Sequence, residues 1–190
     1  GIPAPLLHLS PGKIKAIVPF ALAGQSSVEV VVRRFGQDSP AFTIPLQDTA
    51  PAVFTRPSST GPGPILQGTC PPIAPATSCA GGQFTTNGPD NPAPPGTTLK
   101  IFATGTGVWG RPSESDIFLS GMSFPGQLAV TIGGLPAKIL SAGTSETSNT
   151  WSVLQVNAVL PDGLGSGPQP VVLTIGANDN SQQQAMVWIQ

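Results

Sequence analysis

The chain has 190 residues, only 9% of which are charged, and its net charge is −1. This length allows one large domain or two small ones. Because so few basic residues cannot form a stripe that binds phosphates, we expect no nucleic-acid partner. No run of about 18 apolar residues occurs either, so we expect no membrane span.

Apolar segments of strand length, rich in Val, Ile, Thr and Phe, run through the whole chain. In several of them apolar and polar residues alternate, which is the period of a strand half buried in a sheet. The 23 glycines and 23 prolines are scattered between them and favour short turns. The pattern predicts an all-β protein built as a sandwich or barrel. In chain order the segments are 13–18, 27–33, 41–46, 97–103, 128–132, 154–159, 171–175 and 185–189.

The two cysteines, Cys70 and Cys79, are separated by eight residues. They form no Cys-x-x-Cys pair, and no histidine is near enough in sequence to complete a zinc site. We predict a disulfide that closes a small loop, within an enlarged hairpin loop at 67–87. Two free thiols in a cytosolic loop are the alternative. A disulfide would favour an oxidising compartment and therefore an extracellular location.

Few residues are placed for catalysis or for binding a cofactor. Residues 105–110 satisfy G-x-G-x-x-G, but Arg111 and Pro112 follow in place of the helix that a dinucleotide site needs. A glycine-rich corner is the simpler interpretation. His8 is the only histidine, and no acidic residue lies near it in sequence. The acidic residues are dispersed, and 178–180 fits a turn better than a calcium loop. We therefore predict no enzyme activity, no cofactor and no metal.

Two tryptophans, Trp109 and Trp151, lie beside predicted loops. Exposed aromatic rings on one face could stack on sugars or bind a surface protein, whereas packing within the fold is the alternative. The chain contains no tyrosine, which weakens the sugar interpretation. Trp109 and Trp151 are the candidate ligand contacts.

The order of turns and strands occurs twice in the chain. Residues 3–7 match 136–140, residues 13–19 match 154–161, and residues 27–32 match 170–175. The second copy has about 85 further residues before its match begins, so the repeat is domain-sized and not a short solenoid period. We predict a partial sandwich in 1–48, which lacks its opening strands, and a complete sandwich in 49–190.

Several turn and strand segments resemble a known bacterial family, namely 2–5, 10–14, 50–55, 94–97 and 101–107. The family is the uncharacterised C-terminal domain of large secreted proteins abundant in Acidobacteria, which occurs in tandem immunoglobulin/TIG-like copies. The resemblance covers 1–48 as a half repeat and 49–190 as a full one. It implies tandem immunoglobulin-like β-sandwiches outside the cell and no catalytic residues. The enlarged loop at 67–87 and the incomplete first copy depart from the family pattern.

An incomplete sandwich has unpaired strand edges and an uncovered apolar groove. We therefore expect a non-catalytic extracellular structural protein, a subunit or stalk segment of a surface fibre assembled by strand complementation between subunits. Its partners would be further copies of the chain or neighbouring domains of a larger chain. The alternative is an adhesion module that displays loops to a glycan or protein ligand. The candidate strand-exchange residues are Ile2, Leu6, Leu7, Val187 and Ile189.

Overall fold

The computed structural model describes residues 1–55, 65–70, 79, 82–108, 124, 126–145, 153–176, 179–180 (backbone only) and 185–190. Over these residues the secondary structure is β-strand apart from one 3-10 turn at Phe20–Leu22. The prediction of an all-β protein is therefore confirmed. No helix in the described part of the chain is long and apolar enough to cross a membrane.

The first 46 residues form antiparallel two-stranded ladders. β1 pairs with β2 across a turn in which Gly12 has a φ of 77°. β3 pairs with β6, and the short pair β4–β5 extends the same hairpin toward its tip. The strands are β1 (Leu6–Ser10), β2 (Lys13–Ala16), β3 (Ser27–Val30), β4 (Arg33–Arg34), β5 (Gln37–Asp38) and β6 (Phe42–Pro45).

The remaining strands form two larger antiparallel sheets. They are β7 (Ala52–Val53), β8 (Leu66–Gly68), β9 (Phe84–Thr86), β10 (Thr98–Thr104), β11 (Leu128–Ile132), β12 (Leu135–Pro136), β13 (Lys138–Thr144), β14 (Leu154–Val159), β15 (Gly167–Ile175), β16 (Asp179–Asn180) and β17 (Met186–Ile189). One sheet has the order β13-β14-β10-β8-β9, with β7 also on β10. The other has the order β12-β11-β15-β16, with β17 also on β15.

Alternate residues of both sheets form one buried cluster, as expected for a sandwich-like arrangement. In the first sheet Leu99 lies opposite Ala158, and Ile101 lies opposite Val156. The second sheet adds further fully or almost fully buried aliphatic side chains, which are Val130, Ile132, Val171, Leu173, Ile175, Val187 and Ile189. The apolar period seen in the sequence therefore corresponds to the inward faces of the strands.

The side chain of a buried asparagine forms hydrogen bonds with the last strand, β17. The Asn87 side chain, 1% exposed, donates from Nδ2 to the Trp188 carbonyl (2.8 Å) and to Gln67 Oε1 (2.7 Å). Its Oδ1 accepts from the Trp188 backbone N–H (2.7 Å). The amide group thus bonds with β17 much as a neighbouring strand would, which satisfies polar groups that would be costly to bury alone.

The predicted disulfide is confirmed. Cys70 and Cys79 are bonded, with Cα atoms 5.0 Å apart, and lie beyond the paired ends of β8 and β9. Cys79 is buried. Residues 71–78 and 80–81 of the predicted loop lie outside the described residues.

The ladder of β1 and β2 repeats that of β13 and β14. Leu6 pairs with Ala16, and a register shift precedes the next pair, His8 with Lys15. In the second ladder Ile139 pairs with Ala158, and a register shift likewise precedes the pair formed by Ser141 and Asn157. A bulge at the same position of both ladders supports the internal repeat independently of the sequence match.

The second hairpin of the first copy also has its counterpart. Ser27 pairs with Pro45 in the β3–β6 ladder, as Pro168 pairs with Trp188 in the β15–β17 ladder. When the closing strands are aligned so that Leu46 corresponds to Ile189, residues 27–32 correspond to 168–173. The sequence match to 170–175 is therefore two residues too far along the chain. The shift leaves every side chain on the same face, because strands have a period of two. The boundaries 1–48 and 49–190 stay a prediction.

Candidate strand-acceptor site

Strands β2 and β3 of the N-terminal hairpins and the residues after them carry exposed apolar side chains; we call this set of residues the open face. It carries Ile14, Ala16 and Val18 from β2 and its end, and Val30 and Val32 from β3 and its end. The four larger side chains are 44%, 54%, 42% and 45% exposed for Ile14, Val18, Val30 and Val32. Single exposed apolar residues are ordinary on a soluble protein, but several large ones on two neighbouring hairpins make a candidate interaction site.

The second copy shows the same positions buried. By ladder register, Val156 and Ala158 correspond to Ile14 and Ala16, and both are fully buried. Leu160, which precedes a proline as Val18 does, is 1% exposed. Val171 and Leu173, the counterparts of Val30 and Val32, are also fully buried. The two copies therefore share an apolar pattern and differ in whether that pattern is covered.

Backbone edges are open at the same place. In the second copy β14 lies between β13 and β10, and β15 pairs with β11 as well as with β17. In the first copy β2 pairs with β1 alone, and β3 pairs with β6 alone, among the described residues. The second edges of β2 and β3 thus present unpaired N–H and C=O groups next to exposed apolar side chains. This combination accepts an added strand.

A cleft of about 580 Å³ continues the open face toward the second copy. Its walls come from 16–20, 22–25, 44–50 and 104–108. Residues 48–50 run along one wall, where the Ala50 N–H donates a hydrogen bond to the Gly105 carbonyl (2.8 Å). Gly105 and Gly107 have φ of 77° and 74°, and a Cβ on either would collide with the backbone carbonyl of Ala50 or Asp48. The glycine-rich motif therefore serves close backbone approach.

Among the described residues, the tip of the second hairpin carries the most exposed aromatic side chain. Phe35 is 91% exposed and has a φ of 50°, and the Arg34 guanidinium lies 5.1 Å from its ring centroid. Arg33 donates two hydrogen bonds to Asp38, which lowers the pKa of that carboxyl. The pair therefore stabilises the hairpin above the ordinary carboxyl pKa and loses this effect as pH falls through the lowered one. Because both side chains are exposed, the contribution is small.

The candidate residues from the sequence fall into three groups. Ile2, Leu6 and Leu7 are exposed, and Leu6 lies opposite Ala16 beside the open face. Val187 and Ile189 are buried in the core of the second copy. Trp109 and Trp151 lie outside the described residues, so their role as ligand contacts stays a prediction.

His8 is exposed, and its Nε2 lies 3.1 Å from Ser10 Oγ. Within the described ranges, no group of three or more histidine, cysteine, aspartate or glutamate side chains is arranged to hold a metal.

Sequence reasoning did not single out the residues of the open face. Ile14, Val18, Val30 and Val32 look like ordinary core positions, because their alternation is that of any half-buried strand. The internal repeat already predicts an uncovered apolar groove, and comparing the matched positions of the two copies would have named these residues.

Comparison of the chain with protein-family models, curated proteins and solved structures yields no match.

Proposed function

We propose that this chain is a non-catalytic structural protein, a subunit or stalk segment of an extracellular fibre joined by strand complementation between subunits. The observation that carries the proposal is the open face, whose residues are exposed although their counterparts in the second copy are buried. Full burial of one aliphatic side chain contributes about 1.5–3 kcal/mol, so an added strand that covers several of them has a substantial driving force. The fold that fits best is a tandem of immunoglobulin-like sandwiches, the first of them incomplete.

The proposed location is outside the cell. The disulfide supports it, because thiols are kept reduced in most cytosols. The sparse charge of the chain also provides little repulsion between neighbouring subunits. The resemblance to tandem domains of secreted bacterial proteins is consistent with the same location.

A binding module is the second candidate, and one described feature favours it. Phe35 projects at a hairpin tip between Arg34 and Gly36, where an aromatic ring can contact a ligand. In this case the protein would be a monomer whose stability increases with ligand.

The test is the mass of the native particle. The protein would be recovered without reductant from the culture medium of the cells that produce it, then analysed by size exclusion with light scattering and by negative-stain microscopy. We expect elongated particles many times heavier than the 19.3 kDa chain. A 19.3 kDa monomer in the medium, or recovery only from the cell interior, would contradict the proposal.

A further inference from the structure

Asn87 and Gly88 form the only Asn-Gly dipeptide in the chain. Asparagine is a thermolabile residue, and it deamidates fastest before glycine, which has no Cβ to keep its backbone nitrogen away from the preceding side chain. We propose that Asn87 is a deamidation site that β17 keeps unreactive in the folded chain, and that its deamidation prevents β17 from docking again. The site does not depend on the proposed fibre, because all the contacts that form it lie within 65–93 and β17.

The reaction needs no reactant other than water. The Gly88 backbone nitrogen loses its proton to solvent base and attacks Asn87 Cγ, the Cγ–Nδ2 bond breaks, and the side-chain nitrogen leaves as ammonia. The new Cγ–N bond closes a cyclic imide. Water then opens the ring, either at Cγ, which gives aspartate, or at the backbone carbonyl carbon of Asn87, which gives isoaspartate. Nothing is oxidised or reduced in either step.

The folded chain holds the group that would be attacked. The Asn87 side chain is 1% exposed, and its Nδ2 donates to the Trp188 carbonyl (2.8 Å) and to Gln67 Oε1 (2.7 Å). Its Oδ1 accepts from the Trp188 N–H (2.7 Å). These bonds use both hydrogens of the amide and its oxygen. Cγ therefore cannot turn toward the Gly88 nitrogen unless they break.

The attacking nitrogen is held as well. The Gly88 N–H donates to the Asn91 carbonyl (3.2 Å), and the Asn91 N–H donates to the Gly88 carbonyl (3.0 Å). On the other side, the Asn87 N–H donates to the Ile65 carbonyl (2.9 Å). A proton in a hydrogen bond is harder to remove, and the backbone around the nitrogen is fixed. The native geometry thus opposes the first step at both reacting atoms.

Strand β17 controls whether this protection persists. Trp188 in β17 supplies two of the three bonds that hold the Asn87 side chain. The same strand is bonded to Ala93, whose N–H donates to the Trp188 carbonyl (2.7 Å) and whose carbonyl accepts from Gln190 (3.1 Å). Short segments open locally without global unfolding. When β17 opens, Asn87 loses its partners and meets water at the same time.

Deamidation opposes the return of β17. An ionised aspartate side chain has no hydrogen to donate, so its oxygens would face the Trp188 carbonyl and Gln67 Oε1. A buried carboxylate in that position is also costly to desolvate. Isoaspartate instead lengthens the backbone by one carbon and displaces Gly88. With either product, the buried side chains of Val187 and Ile189 stay uncovered, and a transient opening becomes permanent.

The first test is the rate of deamidation in the 190-residue chain with its disulfide intact. The protein is incubated at mildly alkaline pH, in buffer and in denaturing urea, and peptide mapping by mass spectrometry follows the gain of about 1 Da at Asn87. Val187→Ala weakens the packing of β17, and Val130→Ala is the same truncation in β11. Gly88→Ala tests the nucleophile, since no atom lies where its Cβ would be.

We expect Asn87 to deamidate about ten-fold or more faster in urea than in buffer, and in buffer about ten-fold faster in Val187→Ala than in Val130→Ala. Gly88→Ala should slow the reaction in urea. Equal rates in buffer and urea, or faster modification of another asparagine in urea, would overturn the proposal, and this comparison needs no variant to fold. Equal rates in the two valine variants would exclude β17 as the protecting strand. An unchanged rate in Gly88→Ala would exclude the Gly88 nitrogen as the nucleophile.

The second test is whether β17 docks after deamidation. Asn87→Asp is compared with Asn91→Asp, the same change at an exposed neighbour, by amide hydrogen exchange of 186–190. We expect exchange about ten-fold faster in Asn87→Asp and unchanged in Asn91→Asp. The parent deamidated in urea is separated by ion exchange through its added negative charge, returned to buffer and measured in the same way. Recovery of the slow parental exchange in that fraction would overturn the irreversible step, whether or not Asn87→Asp folds.

Discussion

Gly105 and Gly107 have one structural task, which is to let the segment between the two copies pass close to the start of the cleft. Both have positive φ, and at both a Cβ would meet the backbone of 48–50. The two requirements are separable, because Gly96 has a φ of 75° but open space where its Cβ would lie. The free-energy cost of positive φ and the cost of the steric overlap can therefore be measured separately.

We expect Gly105→Ala to destabilise the protein more than Gly96→Ala. Positive φ costs an alanine about 1–2 kcal/mol at either position. At Gly105 the forced displacement of Ala50 adds about 1–3 kcal/mol, the usual cost of overpacking. Urea denaturation followed by tryptophan fluorescence gives both free energies of unfolding. Equal losses for the two variants would show that the linker tolerates the extra atom.

At the scale of the elements, the β8–β9 hairpin is closed by a disulfide bond instead of by a short turn. Leu66, Gln67 and Gly68 pair with Thr86, Thr85 and Phe84, and the disulfide follows directly. A Cβ on Gly68 would collide with the carbonyl of Gln83, so the two strands approach closely next to the bond. The cross-link holds together a hairpin whose connection is long.

Removal of the disulfide should destabilise the protein by about 2–3 kcal/mol, the loop-entropy value for a ring of this size. The double variant Cys70→Ser/Cys79→Ser is compared with the parent by thermal denaturation, with and without dithiothreitol. Reductant should lower the Tm of the parent to that of the variant and leave the variant unchanged. An unchanged parent Tm would mean that the bond stabilises only the loop itself.

At the scale of the whole molecule, β2 and β3 lack, among the described residues, the second pairing partners that β14 and β15 have. The positions that are buried in the core at Val156 and Val171 are occupied in the first copy by the exposed residues Ile14 and Val30. In the proposed fibre, the position of the segment that adds a strand determines whether the assembly closes on itself or continues.

A rearranged chain should polymerise. When residues 49–133 are appended after Gln190, strands β10 and β11 of the appended segment of one molecule can reach the open face of the next, head to tail. We expect elongated, concentration-dependent polymers by light scattering and negative stain. The matched control carries Ile101→Asp and Val130→Asp in the appended segment and should stay monomeric. If the two proteins behave alike, donation of this segment between molecules is excluded.

The extent to which sequence predicted the fold depended on the length and alternation of each segment. The strand at 97–103 is long and clearly patterned, and the structure has β10 at Thr98–Thr104. β7, β8 and β9 were not predicted, since two or three residues are too few to show a period. The repeat was found from local matches, but its match in 27–32 is two residues off the ladder register. A face-preserving shift of this kind is invisible to a pattern with a period of two.

The sequence alone determined the all-β class and predicted the disulfide and the repeat of the closing strands, because alternation, cysteine spacing and turn residues are local properties. Tertiary structure decided which apolar residues are covered. Ile14 and Val156 belong to similar strands, yet one is exposed and the other buried, since burial depends on neighbours far along the chain. The same is true of Asn87, whose amide bonds with a strand 101 residues away. Pairing at a strand edge is a non-local event, and only the folded chain decides whether that edge is filled.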